Sequence, residues 1–203
     1  MKSLNPFPYI IKSNFDFKFD TFKDKVDGHL AAARDQIELN NFDTLEKGGG
    51  TTSVVINKII PPHVWDEFEE FRPWLYTKVD HIWEQWKLQP MIKHLSDSWI
   101  NIHPPGAWTA EHHHQNVTVA VAAYLNVPNG SGRFMVKNPF YQYKLGEPLQ
   151  VNYYDDGMDW EYIEVKTNDV LFFPGWLIHK TEINNSNQDR YVMSLNIMGR
   201  YVH

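Results

Sequence analysis

Two stretches of the chain alternate with a period of two residues, and in both the two faces differ in kind. From His112 onward, His112, His114, Asn116, Thr118, Ala120, Ala122 and Tyr124 share one parity, and Val117, Val119, Val121, Ala123 and Leu125 share the other. Near the C-terminus, Arg190, Val192, Ser194, Asn196 and Met198 alternate with Tyr191, Met193, Leu195 and Ile197. Successive side chains of a strand point to opposite faces, so each stretch predicts a strand with one apolar core face and one polar face that lines a pocket. Trp99, Asn101 and His103 alternate in the same way with Ile100 and Ile102, until Pro104-Pro105-Gly106 ends that strand.

From Ser98 to the end the chain reads as short strands and turns. Pro128-Asn129-Gly130-Ser131-Gly132 is a turn, Phe134-Met135-Val136 a returning strand, and Tyr162–Val165 and Val170–Phe173 two more strands around Thr167-Asn168-Asp169. Residues 139–160, rich in Tyr, Phe and Trp among Gly, Pro and Asp, read either as a lid or binding loop or as a surface extension packed by its own side chains.

The first half reads differently. Residues 9–19 alternate loosely as an early strand. From Thr21, an N-cap with Asp24 in the capping-box position, Phe22, Val26, Leu30, Ala33 and Ile37 recur at helical spacing. Gly48-Gly49-Gly50 is a connector rather than a phosphate loop, because no Lys-Ser/Thr follows it and the next segment, Thr51–Ile56, is β-prone. Pro61-Pro62 opens a helical region that Pro73 should interrupt. After it Leu75, Val79, Ile82, Trp83 and Trp86 form one stripe, read as core packing. His81 is expected in solvent, and His29, His63 and His94 have no local partners.

No Ser/Gly/Pro-rich linker divides the 203 residues. The expectation is a single domain, 1–203, with 1–97 a mostly helical support and 98–203 a β core carrying the site. The net charge of −6 without a Lys/Arg cluster argues against long nucleic acid as a partner. No apolar run long enough for a membrane span occurs, and Met1–Ile10 lacks the apolar run of a signal peptide, so a soluble cytoplasmic protein is expected. A homodimer stays open.

The chain has no cysteine, so any metal must sit on His, carboxylate or amide oxygen. Strand parity sends His112 and His114 to one metal and His113 away from it, with His179 as the third ligand. Such a set, without thiolate, suits non-haem iron(II) that keeps open positions, with zinc the competing tenant. Glu111 is the nearest carboxylate, but its parity is wrong unless a bulge intervenes. Arg190 shares the pocket parity, where its rigid fork suits the far carboxylate of a dicarboxylate cosubstrate.

Trp99-Ile100-Asn101, His112-His113-His114, Tyr124-Leu125, Ser131-Gly132, Phe173-Pro174-Gly175-Trp176-Leu177-Ile178-His179, Arg190 and Ser194-Leu195-Asn196 together resemble the 2-oxoglutarate- and iron(II)-dependent oxygenases. Within them, they are similar to small oxygenases of bacteria and tailed bacteriophages, which would place the protein in a bacterial host cytoplasm. The resemblance covers residues 98–198. It implies an α+β protein with a double-stranded β-helix (jelly-roll, cupin-like) core in the C-terminal half and N-terminal helices packed against it. It also implies a hydroxylase using Fe(II), 2-oxoglutarate and dioxygen on a small-molecule or peptide substrate, with release of succinate and CO2. By the same resemblance His112 and His179 take the two iron-ligand places, His114 takes the place usual for a carboxylate, and Arg190 binds the distal carboxylate of the cosubstrate. Tyr124, Asn101 and Ser194 line the cosubstrate pocket, and Val192 stands where a Ser or Thr is common.

Two other classes remain open at this level. A three-histidine cupin-like metal enzyme that does not use 2-oxoglutarate explains His114 better and leaves Arg190 without a role. A non-catalytic metal-binding virion or interaction protein would keep only the fold.

Overall fold

In the computed structural model, residues 10–39, 48, 51–53, 61–139 and 160–201 are described, with the backbone alone for residues 32–39 and Thr51. Gly49, Gly50, the stretch 54–60 and the aromatic segment between residues 139 and 160 lie outside them. The elements in chain order are β1 (Ile11–Asn14), α1 (Lys23–Leu39), β2 (Thr51–Thr52), α2 (Phe71–Gln85), β3 (Ile92–His103), β4 (Val119–Asn126), β5 (Phe134–Lys137), β6 (Trp160–Ile163), β7 (Asp169–Pro174), β8 (His179–Thr181) and β9 (Arg190–Arg200).

The strands form two sheets. One has six strands in the order β1-β7-β4-β9-β3-β2 and the other three in the order β6-β5-β8. All recorded pairings are antiparallel, and the longest runs from Ile92↔Arg200 to His103↔Arg190, with a bulge between Leu95 and Asp97.

The period-two patterns decide which side of the large sheet faces which core. Val119, Val121, Ala123 and Leu125 of β4, with Tyr191, Met193, Leu195 and Ile197 of β9 and Ile100 and Ile102 of β3, pack on the helices through Phe22, Leu30, Phe68, Phe71, Leu75 and Val79. Each such fully buried side chain contributes roughly 1.5–3 kcal/mol of transfer free energy. The opposite parity, Ala120, Ala122, Tyr124 and Val192, meets Phe134 and Val136 of the small sheet. The alanines and valine are small, which leaves room between the sheets.

Several local expectations are corrected. The hydroxyl of Thr21 donates to Lys18 O instead of capping a helix, because Phe19–Thr21 forms a 3-10 turn before α1 starts at Lys23. Pro73 does not interrupt its helix. It sits in the first turn of α2, where a missing N–H costs no intrahelical bond. β3 begins at Ile92, six positions before the expected Ser98, and the N-terminal region supplies β1 and β2 to the large sheet as well as helices.

Candidate metal centre and cosubstrate pocket

The histidine triplet is seated by backbone pairing with the segment that carries His179. His112 N–H donates to His179 O at 3.0 Å, His179 N–H to His112 O at 2.9 Å, and His114 N–H to Gly175 O at 2.8 Å. The extended run does not continue unbroken into β4. Asn116 adopts φ 60 in an exposed turn, and Thr118 Oγ1 accepts from Gly199 N–H, so neither lines the site as parity alone predicted. For the triplet itself the two-residue spacing holds: His112 and His114 face His179, and His113 is exposed.

Gly175 has to be a glycine for this seat. A Cβ there would lie 2.3 Å from Val117 O and 2.7 Å from Val117 Cβ, both in the segment that follows the triplet. We predict that Gly175→Ala destabilises the chain by about 1–3 kcal/mol and weakens metal binding, because the carbonyl that holds His114 must move. Urea melts with and without metal would check both effects.

One ring nitrogen from each of His112, His114 and His179 lies within 4.8 Å of the others, and the ring centroids are 4.2 to 5.4 Å apart. Glu111 is not part of the group, since its Oε1 accepts from Lys137 Nζ at 2.9 Å on the exposed side. Nδ1 of His112 lies 2.8 Å from Ala110 O, Nδ1 of His179 2.8 Å from Leu177 O, and Nδ1 of His114 2.5 Å from Asn196 Oδ1. Each partner is an oxygen acceptor, so each Nδ1 carries the proton and each Nε2 keeps its lone pair.

Burial, then the neighbouring His112, holds His179 well below the usual imidazole range, and burial lowers His114. His114 and His179 are thus neutral, the form that binds metal. Three lone pairs converging on one point without thiolate fit a first-row divalent ion with open positions.

The cluster opens on a cavity of about 80 Å³ between the two sheets. Asn101, Tyr124 and Ser194, each expected in the pocket, all line it, with Asn101 Nδ2 donating to Ser194 Oγ at 3.0 Å. Burial pushes the Tyr124 hydroxyl up, so it stays protonated as a donor.

Arg190 is placed differently from the expectation of an open fork on the pocket face. It is fully buried behind the cavity wall. Its Nη1 donates to Ser131 O and to Gly132 O, and Nη2 to Thr181 Oγ1 at 3.0 Å, while Nε has no partner. Among the described residues no carboxylate forms an ion pair with Arg190, and the nearby Glu182 is engaged by Arg133 through its backbone N–H and two guanidinium bonds. Nε–H and one Nη2 proton remain uncommitted.

Sequence reasoning passed over four further residues of this site. His103 lines the cavity, is buried, and has Nε2 2.6 Å from Thr109 Oγ1 and no partner on Nδ1. Burial, then the Arg190 charge, lowers its pKa to about 3. Thr109 and Thr181 also line the cavity, and Asn196 holds His114. His103 and Asn196 carried a signal, since both lie on the pocket parity of their strands. The two threonines carried none, because only sheet packing brings them in.

Residues 97–196 match the sequence family described as "Putative 2OG-Fe(II) oxygenase". No curated protein matches the chain by sequence. Among solved structures, the chain is similar to a prolyl-4-hydroxylase of Pseudomonas putida, at 14% identity and a TM-score of 0.55 over 95% of this chain and 93% of that one. It is similar also to the viral collagen prolyl hydroxylase of Paramecium Bursaria Chlorella virus-1, solved as a 2OG complex, at 12% identity and 0.54 over 96% and 97%. A third is a Trichoplax adhaerens prolyl hydroxylase in complex with a hypoxia inducible factor oxygen degradation domain peptide fragment, at 13% identity and 0.55 over 95% and 84%. At such identities the likeness shows the fold, a double-stranded β-helix with helices on one side, which the two facing sheets and the helical core display. Iron(II) and 2-oxoglutarate are the metal and cosubstrate of the matched family, and the three-imidazole donor set fits the metal. Residues 97–196, just under half of the chain, carry the sequence signature of the 2-oxoglutarate- and iron(II)-dependent oxygenases.

Proposed function

We propose that the protein is a hydroxylase that inserts one atom of dioxygen into a C–H bond of its substrate, while the other converts 2-oxoglutarate to succinate and CO2. Iron(II), when bound, would activate the dioxygen, while the oxidative decarboxylation of 2-oxoglutarate and the substrate C–H bond supply two electrons each. His112, His114 and His179 would hold it through Nε2 beside the cavity. Arg190 provides the fixed positive charge at the inner wall. Tyr124 and Thr181 offer hydroxyls beside it, and the apolar walls from Phe134, Phe173 and Val192 exclude water.

The observation that carries this reading is a buried guanidinium without an ion-pair partner beside the same cavity as three converging imidazoles. An unpaired buried charge costs several kcal/mol, and the distal carboxylate of 2-oxoglutarate supplies the missing anion. A cupin-like enzyme acting without 2-oxoglutarate draws on the all-histidine ligand set, but leaves that cation without a use.

Anaerobic titration of the iron(II) protein with 2-oxoglutarate should produce the weak visible charge-transfer band of the chelate, and aerobic turnover should release succinate. A silent titration, together with oxygen uptake that ignores 2-oxoglutarate, would establish the cupin-like reading instead. The prolyl hydroxylases that share the fold make proline-containing peptides the first substrate class to assay.

A further inference from the structure

The three imidazoles differ in what holds their Nδ1 protons. His112 and His179 each use a backbone carbonyl two positions back in their own segment, Ala110 O and Leu177 O, which any side chain at those positions would still provide. His114 depends on a distant side chain, with its Nδ1 2.5 Å from Asn196 Oδ1 on β9. Its ring is further fixed by stacking on Trp99, at 5.7 Å and 25°. Room for the amide comes from Ala120, the neighbour of Asn196 across β4, which brings only a methyl group.

We propose that Asn196 is a positioning residue that delivers His114 to the metal through Nε2 as a neutral ligand, and that this neutral contact suits the centre to a dianionic cosubstrate. The proposal rests on the oxygenase reading for its second half only.

The chemistry follows from the amide's two ends. With Oδ1 toward His114, Nδ1 must be the donor and Nε2 holds the lone pair. With Nδ2 toward it, Nε2 would carry the proton and could not ligate. The choice of an amide over a carboxylate also matters. All three Nδ1 partners are neutral oxygens, so a divalent metal here keeps its full formal charge, where a carboxylate ligand would cancel one unit. The keto-acid end of 2-oxoglutarate brings one negative charge to that metal, while the distal carboxylate meets Arg190. A carboxylate at position 196 would make the imidazole a stronger donor, tightening the metal, while repelling the incoming dianion.

The test compares wild type, Asn196→Leu and Asn196→Asp by anaerobic Fe(II) binding in competition with a chelator, and by 2-oxoglutarate affinity on the loaded proteins. Asn196→Leu is expected to weaken iron binding about 10- to 100-fold, the range for lost partners of ligand histidines. Asn196→Asp is expected to hold iron at least as tightly as wild type while losing about tenfold or more in 2-oxoglutarate affinity. The d–d spectrum of the Co(II) forms should shift between the two variants, which a merely structural role would not produce.

Wild-type iron affinity in a folded Asn196→Leu overturns the positioning role. So does loss of iron in a folded Asn196→Asp, which decides alone if the leucine variant does not fold. Should wild type bind iron in an Asn196-dependent way and ignore 2-oxoglutarate, the oxygenase reading fails and the positioning role stands. If wild type binds no iron, both fail.

Discussion

His179→Ala should empty the metal site. The ring is 5% exposed, lies against both other imidazoles, and points no polar atom anywhere except at Leu177 O and the shared centre. Two remaining imidazoles make a far weaker site, since loss of even an outer partner costs roughly 10- to 100-fold in metal affinity. A drop of at least about 100-fold is expected, with succinate release falling to background. His112→Ala should behave alike, whereas His113→Ala, whose ring is exposed, should bind metal as wild type does. Chelator competition measures all three, and thermal melts of the metal-free proteins control for folding. If His113→Ala were the variant that loses metal, the facing of the triplet described above would be wrong.

Arg190→Leu should have two separable consequences. The guanidinium ties Ser131 O, Gly132 O and Thr181 Oγ1 together, so it links the turn before β5 to β8 and β9. Leaving these acceptors unpaired costs about 2–4 kcal/mol of stability, which a urea melt reads directly. Separately, 2-oxoglutarate affinity should fall by at least about 100-fold, because the buried guanidinium proposed to meet its distal carboxylate is gone. Arg190→Lys keeps the charge without the planar fork and should recover part of the affinity but little of the stability. In wild type, iron plus 2-oxoglutarate should raise the melting temperature by more than iron alone, as expected for a ligand bound only by the folded state. A leucine variant that binds 2-oxoglutarate like wild type would remove Arg190 from the cosubstrate site and leave it a purely structural brace.

The buried arginine also shows where reading from sequence stops. Parity placed it correctly on the inner side of β9, together with Val192, Ser194 and Asn196, because a half-buried strand must alternate. Parity could not say that Ser131 and Gly132 would bring their carbonyls to it, since that contact joins residues 58 and 59 positions apart. The same limit applies to Thr109 and Thr181, which meet through a bond from Thr109 N–H to Thr181 Oγ1 over 72 positions. The errors at Thr21 and Pro73 are of another sort. Both residues have strong local preferences, and in both the turn geometry just before the helix decided whether the preference was used. The expectation about the aromatic stretch between residues 139 and 160 lies outside the described residues.

What the sequence by itself determined is the layering. Period-two alternation in 99–103, 119–125 and 190–198 assigns each side chain to the helical core or the cavity, and the lack of cysteine leaves His, carboxylate or amide oxygen for any metal. The spacing of His112 and His114 fixes their common direction, and the similarity of residues 97–196 to known oxygenases was legible there too. What only the tertiary structure decided is the state in which those residues arrive. The exchange of backbone bonds between His112 and His179 brings the distant imidazole to the other two, and a β9 amide meets the His114 ring. The carbonyls that claim part of Arg190 leave two of its donors uncommitted. These are matters of which hydrogen-bonding group faces which across the sheets, and no local pattern encodes such facing because the partners meet only when the sheets close.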